Sequence, residues 1–245
     1  SVLIIGAKSD VGISLANKFA NNNFDLLLAG RNITLLKDKK IIYENNYSIK
    51  CELIEFDVLK FESHKIFLNE ILKINHTFPD VIICLIGYMK NKENLENLYT
   101  RSIREMLTNY VGPSILFELI ANEVVKLNCK TTMIGVSSVA GERGRASNYI
   151  YGSAKAGYTQ FLSGLRQRLH SSNVHIITII PGYIDTKMTK NMVTPKIVTS
   201  SSKEVADLIF SSYMRKKNIV YTRYWMVIMN IIKSIPEFLF KMIKL

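Results

Sequence analysis

Tyr151 and Lys155 stand four residues apart in the stretch NYIYGSAKAGY, at 148–158, with only Gly152, Ser153 and Ala154 between them. Residues at i and i+4 share one face of a helix. A phenol ordinarily titrates near pH 10, and a neighbouring ammonium stabilises its anion and lowers that value. The pair therefore suits a proton donor or acceptor at a carbonyl oxygen working near neutral pH. An amphipathic helix with a core tyrosine and a surface lysine has the same spacing, so the pair gains meaning only from what surrounds it. Tyr149 and Tyr158 fall outside the spacing and are expected to pack.

A pair of this kind needs a rigid frame. Short β-rich runs (VLIIG, FDLLLAG, SIKCELIEF, DVIICLIG, TTMIGVSS, VHIITIIPG and NIVYT) alternate with helical patterns near 11–22, 32–45, 61–75, 99–127, 149–171 and 203–215. Strands that are apolar along their whole length suit a parallel sheet covered on both faces, and repeated strand–helix alternation makes that sheet doubly wound. Right-handed crossovers then bring the strand C-terminal ends to one edge, where ligands bind. SSKE at 201–204 predicts a capping box opening the penultimate helix. The 245 residues are 48% hydrophobic and hold no linker or repeat, so one core is expected. The catalytic domain is placed at 1–222, with 223–245 as an amphipathic extension of it.

The first run leads into GAKSDVG. Gly6 allows a sharp turn and Gly12 lets helix and backbone approach closely, with Ser9, Asp10 and Val11 between them. The N-terminus of the following helix offers free N–H groups to a pyrophosphate. Asp10 stands where a middle glycine is usual, and an ordinary glycine turn has much of this pattern. An acid about 20 residues further on would read a ribose 2′-hydroxyl; here Arg31 stands 19 residues after Gly12. Arginine pairs with a 2′-phosphate, which favours NADP(H) over NAD(H), although a solvated arginine is also common at a strand end. Asp57, with Val58 beside it, ends the third strand where an adenine would lie.

Further signals occur in a fixed order. Asn109 lies in LTNYVGP, GVSSVAG ends a strand with Ser138 13 residues before Tyr151, and IIPGYIDTKM follows the next strand. Together with the glycine turn and YxxxK, these make the chain resemble the short-chain dehydrogenase/reductase family over almost its whole length. The resemblance implies a Rossmann-like, seven-stranded, three-layer α/β/α fold and an enzyme interconverting a ketone and a secondary alcohol. It implies that Tyr151 is the acid or base, that Lys155 tunes it and holds the nicotinamide ribose, and that Ser138 binds the reacting oxygen. Asn109 would anchor a proton-relay water, and Pro181, Gly182, Ile184 and Thr186 would hold the carboxamide. The family's Asn-Asn-Ala-Gly is here Cys84-Leu85-Ile86-Gly87, which keeps only the glycine. Gly87 is expected to let the ribose approach.

The net charge is +12, and residues 213–245 carry seven basic residues, Lys244 included, against one acid, half of that total. No nucleic-acid recognition motif accompanies the charge, so nucleic acid is not an expected partner. Three cysteines and four histidines lie scattered without metal-ligand spacing, so no metal is expected. Reduced thiols and the lack of a leader pattern predict a cytoplasmic protein. The 186–202 segment carries Lys187, Lys190 and Lys196 and no acid, which suits either a phosphate-bearing substrate or a solvated loop. In the tail, YWMVIM at 224–229 is too short to span a bilayer; its Tyr224–Trp225 pair suits a membrane interface, and packing on the domain or on a subunit partner fits as well. The tail and Arg31 more distantly resemble reductases of polyprenyl-phosphate-linked 2-keto-pentoses. The expected substrate is a small or carrier-linked ketone, read as a keto-sugar on a phosphate or lipid carrier, and a homo-oligomer is expected. A lipid or steroid-like ketone reductase, and a non-catalytic nucleotide-binding protein with an interaction tail, remain alternatives.

Overall fold

The computed structural model describes residues 1–89, 98–190 and 194–243. Lys244 of the basic tail and positions 191–193 of the 186–202 segment lie outside the described residues.

The strands are β1 (Val2–Ile5), β2 (Leu26–Gly30), β3 (Cys51–Glu55), β4 (Val81–Cys84), β5 (Thr131–Val136), β6 (Val174–Ile180), β7 (Ile184–Asp185), β8 (Ser200–Ser201) and β9 (Ile219–Tyr221). Seven of them form one sheet in the order β3-β2-β1-β4-β5-β6-β9, and every pairing in it is parallel. The helices are α1 (Asp10–Ala20), α2 (Lys37–Tyr47), α3 (His64–Asn75), α4 (Leu98–Met106), α5 (Gly112–Lys126), α6 (Tyr149–Arg168), α7 (Ser202–Met214), α8 (Trp225–Ser234) and α9 (Glu237–Phe240). The expected doubly wound, Rossmann-like α/β fold is therefore the fold found.

Period-two alternation splits the core cleanly. Leu3, Ile5, Ile82 and Cys84 point to one face, against α3, α5 and α6. Val2, Ile4, Val81 and Ile83 point to the other, against α1, α2 and α7. Both faces are covered, so the central strands read as unbroken apolar runs. The edge strand β3 does not, since it carries Glu52 and an exposed Glu55; β9 stays apolar although Ile219 is exposed. The capping box opens α7 as expected, with Ser201 and Glu204 exchanging side-chain-to-backbone bonds.

The long helix expected over 99–127 is broken where it matters. Pro113 has no N–H to give the carbonyl of Asn109 four residues earlier, and α4 widens into a π-helical turn at Leu107–Val111 before α5 begins. Strand order reverses between β1 and β4, so their C-terminal ends open a crevice beneath this turn.

Candidate active site

Two cavities meet in that crevice. The larger, about 600 Å³, is lined by Gly6, Lys8, Ser9, Arg31, Asp57, Val58, Gly87 and Arg104 among others. The smaller, about 340 Å³, is lined by Asp10, Val11, Gly87, Ser138, Tyr151, Lys155, Pro181, Gly182, Ile184 and Thr186. They share Lys8, Ser9, Leu85, Ile86 and Gly87, so they form one continuous groove across the sheet edge. Of the expected catalytic and cofactor-binding residues, Gly12 and Asn109 line neither cavity.

Gly12 acts from behind the groove. A Cβ there would lie 2.7 Å from the carbonyl oxygens of both Gly6 and Ala7, and Gly6 itself holds φ at +90°. The loop therefore folds tightly onto the start of α1. Ser9 caps that helix, accepting from the Gly12 amide at 3.0 Å and donating to the Gly6 carbonyl at 2.8 Å. Asp10, in the lining of the smaller cavity, accepts at its Oδ2 from the Lys187 amide at 2.9 Å and ties the 186–190 segment to the head of α1. Glu55 accepts from the amides of Asn32 and Ile33 at 2.7 and 2.9 Å, which fixes the turn that follows Arg31. Asp57 folds back on the Leu59 amide at 3.1 Å while lining the larger cavity. The fit to a dinucleotide is good: a glycine cradle at a helix N-terminus joins a groove carrying basic side chains at one end and Tyr151 at the other.

Ser138 and Ser137 have different duties. Ser137 is buried, donates to the Lys155 carbonyl at 3.0 Å and pairs with Thr159 at 2.6 Å, so it anchors α6 to β5. Ser138 caps the turn at Val139–Gly141 and also bonds to the Tyr151 phenol.

Electrostatics depart from the expectation at Tyr151. Burial pushes its hydroxyl up to about 12; the Ser138 hydrogen bond pulls it down and the Glu105 charge pushes it up further. Lys155 does not lower it in this arrangement. The Lys155 Nζ turns toward the carbonyls of Val136 (3.1 Å) and Ile86 (3.4 Å) and lies 6.0 Å from the phenol ring centre. Sequence spacing puts both groups on one helix face but does not say where a four-carbon stem points. Tyr151 is thus a protonated phenol, the form a donor needs.

Lys155 is itself 3% exposed, and burial pulls its ammonium down from 10.5 to about 8. The unfolded chain binds more protons than the folded one between those two values, so this lysine makes stability rise with pH across that window. Comparing wild type with Lys155→Met by denaturant unfolding at pH 7.5 to 10.5, the difference should move in favour of wild type by on the order of 3 kcal/mol. Parallel pH curves would show that the ammonium is not desolvated.

Asn109 is fully buried. Its amide donates to the carbonyls of Tyr88 (2.6 Å) and Glu105 (2.9 Å), and its Oδ1 accepts from the Tyr88 amide (3.0 Å). With its side chain so occupied, Asn109 braces the loop after β4 against the π-helical turn.

The tail closes the far wall. The sequence leaves the Tyr224–Trp225 pair open between a membrane interface and packing; Trp225 packs on the domain, 5% exposed, while Tyr224 is 65% exposed. Its indole donates to the Val198 carbonyl at 2.9 Å and meets Tyr183 edge-on at 5.6 Å. A Cβ on Gly182 would fall 1.8 Å from the indole nitrogen, so the glycine makes room for this ring. Thr222 accepts from the Gly182 amide at 3.0 Å. Arg143, in the loop between Ser138 and Tyr151, donates to the carbonyls of Lys233 and Ile235, both at 3.0 Å, pairs with Glu237 at 2.8 Å and stacks on Phe240. Lys233 adds an ion pair with Glu142. No described helix is long and apolar enough to cross a membrane. Sequence reasoning missed Thr222, Arg143 and Arg145; the one available signal was GERGR, a basic loop just before the tyrosine motif.

Known proteins share this fold. A family model described as short chain dehydrogenase matches residues 1–196. An uncharacterised oxidoreductase of Mycobacterium tuberculosis is 27% identical over 242 residues, covering 98% of this chain and 95% of that protein. A short-chain dehydrogenase of Sphingobium yanoikuyae, solved in complex with NADPH, superposes with a TM-score of 0.81 at 19% identity, covering 96% of each chain. One from Burkholderia cenocepacia, in complex with NADP, gives 0.82 at 18% identity, covering 98% of this chain and 95% of that one. With its glycine turn, Ser138, Tyr151 and Lys155 gathered on one groove, this chain belongs to the short-chain dehydrogenase/reductase family of oxidoreductases.

Proposed function

We propose that the protein is an NADPH-dependent reductase that converts a ketone to a secondary alcohol. The observation that carries this reading is the joined groove, with Ser138, Tyr151 and Lys155 at one end and Gly6, Arg31 and Asp57 at the other. The dinucleotide, when bound, supplies the hydride. Ser138 donates a hydrogen bond to the substrate oxygen and orients it at the phenol. Tyr151 gives its proton as negative charge develops on that oxygen, the moment at which a raised pKa is overcome. Lys155 holds a ribose hydroxyl from beside the carbonyls that now take its Nζ, and its charge then favours the phenolate left behind. Pro181, Gly182, Ile184 and Thr186 form the wall for the carboxamide. The π-helical turn at Asn109 offers a main-chain carbonyl for a relay water, with the side chain as its brace.

NADPH is preferred over NADH because Arg31 stands at the ribose end of the larger cavity, and the solved neighbours named above hold the phosphorylated dinucleotide. Fluorescence titration of both dinucleotides into wild type should give tighter NADPH binding. Arg31→Ala should narrow that preference by about tenfold or more, the worth of a charge-assisted hydrogen bond. Equal affinities in wild type would contradict the assignment.

The substrate we propose is a keto-sugar on a phosphate or lipid carrier, reached at a membrane face, in glycan or cell-envelope synthesis. Two features support it: the basic lining of the smaller cavity and the outer face of the tail, where Tyr224, Val227 and Ile231 are exposed beside Lys233 and Lys241. On this reading residues 223–245 extend the catalytic domain, and the protein is a cytoplasmic homo-oligomer that touches anionic lipid.

A further inference from the structure

Arg145 is the cation left over in the smaller cavity. Lys8, Lys155 and Lys187 also line it, against one acid, Asp10, whose carboxylate is taken by the Lys187 amide. Lys8 borders the phosphate loop and Lys155 sits beneath the phenol, so both belong to the dinucleotide and the proton. Lys187 is exposed, and water screens it. Arg145 is half-buried, its Nε is sealed from solvent, and its guanidinium has neither a hydrogen-bond acceptor nor a carboxylate among the described residues.

The neighbouring group is equally unsatisfied. Asn148 Oδ1 is buried without a partner in the same cavity. The Arg145 carbonyl accepts from the Asn148 amide at 3.1 Å, and the Asn148 carbonyl accepts from the Gly152 amide at 2.8 Å. One turn therefore carries both side chains and runs straight into the helix that presents Tyr151. Arg143, two residues earlier, pins the base of the same loop to the tail. A half-buried guanidinium whose Nε is sealed from solvent and a buried amide oxygen, both left unpaired, carry a cost that a ligand pairing both would remove. An amide turned about its last bond donates as readily as it accepts.

The geometry points to an anion subsite at Arg145 and Asn148 that selects ketones bearing a carboxylate or phosphate. This rests on the ketone-reductase reading and narrows its substrate class. The guanidinium fork matches two oxygens of either group. Met89, Val139, Tyr183 and Met188 line the rest of the cavity, so the anion and the ketone are joined by a spacer with apolar surface.

The test is a binding measurement. Two ligand pairs, 5-oxohexanoate with its methyl ester and dihydroxyacetone phosphate with dihydroxyacetone, are titrated calorimetrically into protein saturated with NADP+, which carries no hydride to transfer, and reduction is assayed separately with NADPH. Wild type should favour the anion of at least one pair by about tenfold to a hundredfold. Which pair it discriminates tells carboxylate from phosphate. Arg145→Gln should bring the ratio toward one, and Arg145→Lys should keep part of it, since an ammonium keeps the charge without the fork. Retained NADPH affinity in each variant reports an intact fold. No preference in wild type, including no detectable binding of either anion, overturns the subsite, as does a preference that survives Arg145→Gln. Since binding needs no turnover, a discriminating protein that reduces neither ketone sinks the reductase reading alone; reduction without discrimination sinks the subsite alone.

Discussion

Tyr151→Phe should lower turnover by about 10²- to 10⁴-fold, the usual contribution of a positioned proton donor, and leave NADPH affinity nearly unchanged. The ring fills the same space between Ser138 and Lys155; only the proton is lost. The phenol is pushed up to about 12, so wild type holds that proton across the physiological range and no neighbouring acid replaces it. Among the other groups nearby, Ser138 is a weak acid, and the Lys155 ammonium, protonated below about pH 8, is turned to the carbonyls of Val136 and Ile86, 6.0 Å from the phenol ring centre. The check is steady-state NADPH oxidation on a ketone that the wild type reduces, with a fluorescence titration of NADPH beside it. Wild-type turnover in the phenylalanine variant would mean that another acid acts.

The second large effect concerns Trp225. Trp225→Ala should destabilise the protein by about 3–5 kcal/mol, the range for emptying a buried aromatic site. It should also weaken NADPH binding, because the indole holds Val198 and packs on Tyr183 next to the Pro181–Gly182 turn. The outer face of the same helix should behave in the opposite way. A Val227→Ser/Ile231→Ser variant should keep its melting temperature within a few degrees, since both side chains are already exposed, yet lose co-sedimentation with anionic vesicles. Binding to neutral vesicles should be weaker throughout, and salt should reduce the anionic component by screening the lysines. If the exposed pair can be changed with no loss of vesicle binding, the tail is a packing element only. If Trp225→Ala melts like wild type, the tail does not brace the site.

The contrast between the two faces of α8 shows where sequence reading stops. The central strands were legible because burial on both faces makes them apolar throughout, and the glycine turn, Ser138 and YxxxK were legible because their spacing is local. Trp225 was not: interface-seeking and core aromatics have the same composition, and only the fold places Gly182, Tyr183 and Val198 against the indole. Arg143 and Arg145 carried no reading from the sequence, yet one binds the tail some 90 residues away and the other lies half-buried in the lining of the smaller cavity. The Lys155 ammonium illustrates a third kind of gap. Its position on the helix face followed from i, i+4 spacing, but its direction is set by the carbonyls of Ile86, in the loop after β4, and Val136, at the end of β5.

The central claim is that Tyr151 delivers a proton to a ketone oxygen as hydride arrives at its carbon. The most direct measurement uses NADPH carrying deuterium at its reactive carbon, with wild type and Tyr151→Phe, on neutral and anionic ketones, read by mass spectrometry of the alcohol. The account predicts one deuterium on the carbinol carbon with wild type, formed at least about 100-fold faster than with the variant. No labelled alcohol from any ketone with wild type, or equal label from both proteins, would contradict it.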